Sequence, residues 1–303
     1  TTDSNSNKKT LTMKFKNLAY LLLAFCTTTT FAACNELDGD NSDFDFGHSA
    51  GAAENPYKDG YGRLPNSIRL ATYNTHRCEG WETQTNVDRA NYNNTAKVIS
   101  LIDPDVIALQ ELDKFTTWHP HDQLQELADR TGMKPYYCKT IDYRGGDYGI
   151  GILCKTAPKN TYAGDLPGTE ARKFFLAEFD DYIFIATHFC HKSEVNRTAA
   201  ATRLNEYAAE HFQTSDKPVY LAGDLNLNRT TSNAFIELLK SWKIITSNDY
   251  TMSTGNTRID YVLVYTGNQA SCEVLGAAVP TFSEIDVYTV SDHLPVFVDL
   301  KKE

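Results

Sequence analysis

The sequence has few cysteines, and none of them form a Cys-x-x-Cys pair. Of the seven cysteines in 303 residues, two fall in the N-terminal segment discussed below. The other five are Cys78, Cys138, Cys154, Cys190 and Cys272. Structural zinc sites are typically built from closely spaced cysteine pairs, so a zinc knuckle is not expected. An odd number of cysteines also leaves at least one thiol unpaired.

Basic residues are also scarce, and no stretch of the chain concentrates them. The chain has 29 Lys and Arg against 39 Asp and Glu, a net charge of −10. The first 33 residues carry four Lys and one Asp, so the remainder has a net charge of −13. Contacts to phosphates dominate the affinity of proteins for nucleic acids. Strong non-specific binding of DNA or RNA is therefore disfavoured. Nucleic acid would have to bind in a local cleft.

The apolar run near the N-terminus is too short to cross a bilayer, which takes about 20 residues. Residues 18–26 follow the basic start Met13-Lys14-Phe15-Lys16-Asn17 and precede Phe31-Ala32-Ala33-Cys34. This three-part pattern is typical of a secretory signal. Cys34 after two alanines resembles the lipid-attachment site of a bacterial lipoprotein, whereas plain secretion would cut the chain near Ala33. We predict an upstream extension and a lipoprotein-type signal over residues 1–33, with lipidation at Cys34.

Residues 34–66 are acidic and rich in Gly, Asp, Ser and Asn. Such a composition favours a flexible acidic tether, and roughly 30 residues of this kind reach about 30 Å. We expect a monomeric, exported protein of a Gram-negative bacterium, lipid-anchored to the outer membrane and either periplasmic or surface-exposed. The lipid anchor would be its only contact with the membrane, and residues 67–303 would form its folded domain.

Segments typical of strands and helices are mixed from residue 67 onward. Strands are predicted at residues 68–73, 106–109, 136–141, 150–155, 173–179, 182–187, 218–222, 259–265, 272–277 and 295–300. Helices are predicted at residues 87–102, 121–130, 194–212 and 233–242. Neighbouring pairs of strands with helices between the pairs favour an α+β fold, in which two β-sheets pack face to face and the helices lie outside.

Cys138 and Cys154 fall on two predicted strands that are joined through Arg144-Gly145-Gly146-Asp147. Because both cysteines are equally far from Gly146, they are candidates to face each other across a hairpin. In an oxidising compartment such a pair would form a disulfide. Two half-buried free thiols are the alternative.

Polar residues recur where an apolar strand begins or ends. They are Asn74, His76, Glu111, His188, Asp224, Asn226 and Asp260. Side chains two apart on a strand share a face. Asn74 with His76, and Asp224 with Asn226, are therefore each predicted to form a two-pronged polar group. Strand ends that meet at one rim of the sandwich would bring these groups together.

Asp292 and two of these residues have the oxygens that a hard cation needs. Mg²⁺ prefers carboxylate and amide oxygens and keeps several waters. Glu111, Asp292 and Asn74 supply oxygens of this kind. They suit a metal ion that neutralises the oxygens of a phosphoester.

The histidines and their neighbours suit the remaining steps of phosphoester hydrolysis. His293 has the chemistry to orient or deprotonate a water, and Asp260 to hold its ring in one tautomer. His188 and Asn226 offer donors for the charge that develops on the phosphate. Taken alone, a strand-end carboxylate is usually a cap, and Gly223-Asp224-Leu225-Asn226 is also a typical turn. Several polar groups beside apolar strands need partners, because their desolvation is costly.

Six short motifs, in the same order, resemble those of the endonuclease/exonuclease/phosphatase superfamily, which includes deoxyribonuclease I. The motifs are Thr72-Tyr73-Asn74, Leu109-Gln110-Glu111, Ala186-Thr187-His188, Gly223-Asp224-Leu225-Asn226, Ile259-Asp260-Tyr261 and Ser291-Asp292-His293. The resemblance covers residues 67–301. It implies a four-layered α/β sandwich that hydrolyses phosphoesters with a divalent metal, Mg²⁺ or Mn²⁺.

The resemblance also implies a role for each motif residue. The residues expected around the metal are Asn74, Glu111 and Asp292. The expected catalytic residues are His188, Asp224, Asn226, Asp260 and His293. Asp260 would pair with His293, and whether Asp224 or His293 takes the proton of the attacking water stays open. The expected substrate contacts are His76, Arg144, Tyr148 and Arg197, with a solvated side chain as the alternative for the two arginines.

Three functions remain open on the sequence alone. The first is an exported phosphodiesterase or phosphatase that acts on a small or lipid-linked phosphoester. The second is an exported nuclease that cleaves DNA or RNA. The third is a non-catalytic surface protein that keeps the fold for binding, although such a protein has no need of Asp260 beside His293.

Overall fold

The computed structural model describes residues 56–57, 60–81, 91–228 and 231–302. The predicted signal over residues 1–33, the lipidation site Cys34 and most of the predicted tether lie outside these residues. Within the described part of the chain, no helix is both long enough and apolar enough to cross a membrane.

Two six-stranded sheets form the centre of the domain. In spatial order, the first sheet contains β11 (Val274–Ala278), β12 (Val296–Lys301), β1 (Ser67–Asn74), β2 (Val106–Lys114), β4 (Gly146–Cys154) and β3 (Lys134–Tyr143). The second contains β5 (Asn160–Leu166), β6 (Arg172–Glu178), β7 (Ile183–His188), β8 (Val219–Asp224), β10 (Asp260–Tyr265) and β9 (Trp242–Ile244). Each sheet has one parallel pair, β1 with β2 and β7 with β8, and the other pairs are antiparallel. Both sheets are therefore mixed.

Four α-helices begin at residues whose side chains cap them. The helices are α1 (Tyr92–Ile102), α2 (Gln123–Thr131), α3 (Glu194–Phe212) and α4 (Asn233–Leu238). The N-cap side chains of Asn91, Asp122, Ser193 and Ser232 each accept a hydrogen bond from the backbone N–H three residues further on. Such caps satisfy backbone donors that have no partner within the helix. Helix α3 has the bounds that the sequence predicts.

Successive side chains on the strands of the first sheet point to opposite faces, so its apolar residues contribute to two separate cores. Leu70 and Val106 face the second sheet, where they join a core that includes Phe184. On the opposite face, Ala71 and Ile107 belong to the core that includes α1 and α2. The period of two places successive side chains on opposite faces, so one strand contributes to both layers.

Helices α3 and α4 cover the outer face of the second sheet through aromatic contacts. The ring centroids of Tyr207 on α3 and Phe174 on β6 are 4.7 Å apart. Those of Phe235 on α4 and Tyr261 on β10 are 5.4 Å apart. Helices, sheet, sheet and helices thus form the predicted four-layered α/β sandwich.

The end of the predicted tether packs on the first sheet. Tyr57 is 5% exposed, and its hydroxyl donates to Asp299 Oδ2. Asp299 also accepts two hydrogen bonds from Arg69, at 2.7 and 2.6 Å, and both side chains are almost fully buried. Arg69 in turn donates to the carbonyl oxygen of Tyr61. The packed part of the chain therefore includes Tyr57 and the partly buried Tyr61 and Leu64.

Two strands differ from the sequence prediction. Strand β5 was not predicted, because it is an exposed edge strand whose residues Asn-Thr-Tyr-Ala-Gly-Asp-Leu show no clear apolar alternation. The helix predicted at residues 233–242 ends at Leu238, and Trp242 belongs to the short strand β9. Trp242 and Ile244 are buried on the same side of that strand.

The suggested disulfide between Cys138 and Cys154 is wrong. The hairpin turns at Arg144-Gly145, and β3 carries a bulge between Lys139 and Ile141. Cys138 consequently lies opposite Ile150, and Cys154 opposite Lys134. Both thiols are free, and burial raises the pKa of each to about 11.

Candidate active site

The ends of several strands meet at one edge of the sandwich. Strands β1 and β2 are parallel and carry Asn74 and Glu111 toward their carboxyl ends. Strands β7 and β8 are parallel, and their last residues, His188 and Asp224, lie opposite each other. Strand β10 runs the other way and begins at this edge, with Asp260 opposite Asp224. The topology thus brings the predicted strand-end residues together.

The side-chain amide of Asn74 joins groups from both sheets. Its Nδ2 lies 3.2 Å from Glu111 Oε1 and 3.1 Å from Asp224 Oδ2. The same nitrogen lies 3.4 Å from His293 Nε2. Asn74 is fully buried. Two carboxylates and an imidazole that are far apart in the sequence therefore converge on one amide.

Glu111 does not follow its strand, as the sequence suggested, but lies at a bulge within it. The pairing of β2 with β4 shifts register between Leu109 and Leu112. Glu111 has a φ of 59°, in the left-handed region that residues with a Cβ rarely adopt. The bulge turns the carboxylate out of the strand pattern toward Asn74. Bulges often re-aim side chains in this way beside active sites.

His293 and Asp260 form a buried pair. The Nδ1 of His293 is 2.9 Å from Asp260 Oδ2, and Asp260 is fully buried. Burial alone would lower the pKa of His293, but the carboxylates of Asp260 and Asp224 outweigh it and raise the pKa to about 10. Asp260 is held in place by its backbone N–H, which donates to the Thr251 hydroxyl. The pair thus has the geometry that the sequence predicted.

A second histidine meets Asp224 from the neighbouring strand. His188 Nε2 lies 3.3 Å from Asp224 Oδ2. The close approach of β7 and β8 depends on Gly223, because a Cβ there would lie 2.0 Å from the carbonyl oxygen of Thr187. Glycine is needed where backbones come this close.

The two-pronged groups that the sequence suggested are arranged differently. The backbone N–H of His76 donates to Asn74 Oδ1, and that of Asn226 donates to Asp224 Oδ1. His76 and Asn226 have φ values of 45° and 51°, so neither continues a strand. Each pair is a tight turn closed by the side chain of its first residue, a common use of Asn and Asp. The prediction that each pair shares a strand face is wrong.

Asp292 is half-buried and adjoins the residues around Asn74. The Ser291 hydroxyl donates to the carbonyl oxygen of Asn74 at 2.8 Å and lies 3.3 Å from Asp292 Oδ1. His293, the next residue, contacts Asn74 directly. Glu111 and Asp292 are thus at the same end of the domain.

These groups border a cleft of about 480 Å³. It is lined by Arg77, Glu111, Ile141, Tyr143, Tyr148, Glu170, Arg172, His188, His191, Lys192, Asp224, Asn226 and His293. A volume of this order suits a small ligand. Burial raises the pKa of Tyr148, so its hydroxyl keeps its proton.

Of the predicted substrate contacts, Tyr148 alone is among the described residues that line the cleft. The His76 ring lies 3.0 Å from the carbonyl oxygen of Gly80 and outside the cleft. Arg144 is exposed at the hairpin turn, with its guanidinium 3.3 Å from the centre of the Trp118 ring. Arg197 donates to the carbonyl oxygens of Cys190 and His191 and pairs with Glu194. Its donors are used within the protein, so the expected substrate contact of Arg197 is not supported.

Two arginines of the cleft were missed from the sequence. Arg77 pairs with Glu79, and its Nη1 lies 3.6 Å from Glu111 Oε2. Arg172 is the first residue of β6 and lies beside His188. The sequence did contain information on the position of Arg172. The tight Asp180-Asp181 turn sets the register of β6 and β7, and this register brings the start of β6 next to the end of β7.

The donor set around Asn74 fits a hard divalent cation. Glu111 and the neighbouring Asp292 supply carboxylate oxygens, and Asn74 Oδ1 keeps a second acceptor position beyond its bond from His76. Ligand atoms of Asp224, Asp260 and His293 also lie within 4.8 Å of one another. Asp260 Oδ2 and His293 Nδ1 are already paired and Asp260 is fully buried, so the oxygens around Glu111 suit a cation better than that pair does. Oxygen ligands favour Mg²⁺ or Mn²⁺ over softer metals.

The fold is similar to solved structures with the same architecture. An endonuclease/exonuclease/phosphatase from Beutenbergia cavernae DSM 12333 has a TM-score of 0.63 at 18% identity, covering 78% of this chain and 72% of that one. A mannosyl-6-phosphatase from Bacteroides thetaiotaomicron VPI-5482 has a TM-score of 0.60 at 18% identity, covering 77% and 99%. D. rerio TDP2, complexed with a single-strand DNA product, has a TM-score of 0.60 at 16% identity, covering 78% and 99%.

No curated protein matches the sequence. The model of the endonuclease/exonuclease/phosphatase family matches residues 71–293, which span all six motifs. This range is well over half of the chain. The protein therefore belongs to the endonuclease/exonuclease/phosphatase family, a group of phosphoester hydrolases.

Proposed function

We propose that this protein is an exported, divalent-metal-dependent hydrolase of small phosphoesters. The observation that carries the proposal is the convergence of Glu111, Asp224 and His293 on the Asn74 amide, within 3.4 Å, at the edge of a cleft. Buried charged groups are costly unless they have partners or a function. Acidic groups from both sheets at one point suit a cation that in turn meets a phosphate.

Glu111, Asn74 and Asp292 would hold the cation, with Mg²⁺ or Mn²⁺ as the preferred ion. When bound, such an ion neutralises the phosphoryl oxygens and lowers the cost of charge that develops there. Asp292 lies beside the Ser291–Asn74 contact and is partly accessible.

The other residues orient the water and the phosphate. Asp260 accepts from His293 Nδ1, so the Nε2 atom of His293 faces Asn74 and Asp224. Asp224 and His293 are the two groups in position to accept the proton of the attacking water, and His293, whose pKa is raised to about 10 without a metal, does so only when a nearby cation lowers that pKa. Asn226 donates one amide N–H to the carbonyl oxygen of Phe189 and has a second N–H for the phosphate.

The lining of the cleft and the net charge of the chain favour a small substrate over a polymer. Ile141, Tyr143 and Tyr148 line it on the side of the β3–β4 hairpin and offer an apolar surface to the organic part of a phosphoester. The net charge of −10 would repel a long polyanion. One similar structure is a mannosyl-6-phosphatase, which is consistent with a small phosphoester.

A nuclease is the second candidate, because D. rerio TDP2 with its single-strand DNA product has a similar fold. The affinity of a nuclease for nucleic acid should fall steeply with salt, since counterions are released on binding. A plasmid-nicking assay at low and moderate salt separates the two candidates. Nicking at rates that match or exceed those on small phosphoesters would favour the nuclease.

Export and lipidation at Cys34 are part of the proposal and rest on the sequence pattern of residues 13–34. Full-length protein expressed in a Gram-negative host should partition into the detergent phase and incorporate a labelled fatty acid. Cys34→Ser should abolish the incorporation. Incorporation that persists in Cys34→Ser would remove lipidation from the proposal and leave the hydrolase intact.

The activity is tested with purified protein and Mg²⁺ or Mn²⁺ on a phosphodiester, bis-p-nitrophenyl phosphate, and on its monoester counterpart. His293→Ala should reduce turnover by at least about 10²-fold, as expected for the loss of an acid–base group. His121→Ala is the matched control, since that ring is 57% exposed and lies outside the cleft lining. Turnover by wild type that His293→Ala leaves unchanged would contradict the proposal.

A further inference from the structure

Arg172 reaches the cleft from the start of β6. The residue is 8% exposed, and its position is set by the β6–β7 pairing, in which Phe174 lies opposite Thr187. Its Nη1 lies 2.9 Å from His188 Nδ1, and its Nη2 donates to Glu170 Oε1 at 3.0 Å. The Nε atom is buried and has no hydrogen-bond partner among the described residues. The guanidinium is therefore engaged with both His188 and Glu170.

This contact determines which nitrogen of His188 carries the proton. A guanidinium stays protonated and offers only N–H donors. Nδ1 of His188 must therefore accept with its lone pair, since an N–H there would face a donor at 2.9 Å. A neutral imidazole has one N–H, which must then be on Nε2. That nitrogen lies in the cleft, 3.3 Å from Asp224 Oδ2.

His188 and His293 thus have opposite partners on Nδ1. His293 Nδ1 faces the carboxylate of Asp260, which in its ionised form only accepts, so this nitrogen carries a hydrogen. His188 Nδ1 faces the guanidinium of Arg172, which only donates. Each partner selects one tautomer, as such contacts generally do.

We infer that Arg172 is a positioning residue that fixes His188 in the tautomer with its proton on Nε2. His188 then presents an N–H, and no lone pair, to the cleft. With the proposed function, on which this part rests, that N–H donates to a phosphate oxygen of the substrate.

The tautomer is tested directly by NMR on metal-free protein labelled with ¹⁵N in its histidine rings. The two ring nitrogens give distinct shifts according to which carries the proton, and His188→Gln identifies the signals. Wild type and Arg172→Lys, which keeps a charged donor, should show the proton on Nε2. Arg172→Met should lose that pattern, with Nδ1 protonated in part or in full. Lys192→Met, which removes another cleft cation, should keep the pattern.

Two results would overturn the inference. One is a wild-type His188 ring that is protonated on Nδ1. The other is an unchanged pattern in Arg172→Met. Because the spectra need neither metal nor substrate, they stand even if the protein fails to hydrolyse phosphoesters, so the two failures can be told apart. If Arg172→Met does not fold, a wild-type ring protonated on Nδ1 still refutes the inference.

A double-mutant cycle separates positioning from direct contact with substrate. Arg172→Met should lower kcat by about 10²-fold, the usual effect of losing one donor to a developing charge, and change KM little. Arg172→Lys should restore most of kcat. In a His188→Ala background, Arg172→Met should cause no further loss, because Arg172 acts through His188. A further rise in KM in that background would show that Arg172 binds the phosphate itself and would refute the inference.

Discussion

The substitution Asp260→Asn probes the His–Asp pair with almost no change in volume. Asp260 is fully buried, and its Oδ2 accepts from His293 Nδ1 at 2.9 Å. A hydrogen bond to a charged group contributes about 1.5–3 kcal/mol. At 1.36 kcal/mol per tenfold in rate, this energy alone corresponds to a loss of about 10–150-fold in kcat. An amide that stabilises the wrong tautomer would extend the loss toward about 10⁴-fold.

The assay measures kcat and KM on bis-p-nitrophenyl phosphate at saturating Mg²⁺ or Mn²⁺. KM should change little, because Asp260 is not among the residues that line the cleft. Asp180→Asn is the matched control, since Asp180 lies in the turn at the other end of the β6–β7 hairpin and is exposed. A kcat of Asp260→Asn within about threefold of wild type would refute the role of the pair, because it is smaller than one charged hydrogen bond predicts.

Two predictions concern stability. In metal-free protein the pKa of His293 is raised to about 10, from an ordinary value near 6.5. The stabilisation of the folded protein by the protonated His293 ring is therefore complete below about pH 6.5 and is lost as the pH rises toward 10. The free energy of unfolding, measured with urea, should fall by a few kcal/mol over this pH range in the wild type and much less in Asp260→Asn. An equal fall in both proteins would contradict this prediction. Asp299→Asn removes the carboxylate that pairs with the buried Arg69 and should lower the free energy of unfolding by about 3–5 kcal/mol. Tyr57→Phe should lower it by about 1 kcal/mol. Equal costs would contradict the importance of the ion pair.

The sequence predicts the fold and the gathering of polar groups for a physical reason. Apolar strand segments next to Asn74, His188 and Asp224 mark where strands end, and parallel pairing places such ends at the same edge. Strand β5 escapes prediction because an exposed edge strand needs little apolar character. Its existence depends on pairing with β6, which a local pattern does not reveal.

Backbone detail is the part that the sequence does not reveal. The bulge at Glu111 has a φ of 59° at a residue that is not glycine, so no local composition marks it. The turn at Asn226 agrees with the preference of Asp and Asn for turns, but the residues Gly223-Asp224-Leu225-Asn226 also fit the alternation of a strand. Arg172 was missed because it directly precedes the predicted strand at residues 173–179, and an arginine in such a place is usually solvated. The hairpin register, rather than the residue type, places it beside His188.

The central claim is that Glu111 and its neighbours hold a divalent cation on which hydrolysis depends. The most direct test is calorimetric titration of chelator-treated protein with Mn²⁺, followed by turnover of bis-p-nitrophenyl phosphate in the same samples. Wild type should bind the ion and recover activity. Glu111→Gln, which keeps the shape of the side chain but removes its charge, should bind at least about tenfold more weakly and lose turnover in parallel. Full activity in chelator-treated wild type, or unchanged binding by Glu111→Gln, would contradict the claim.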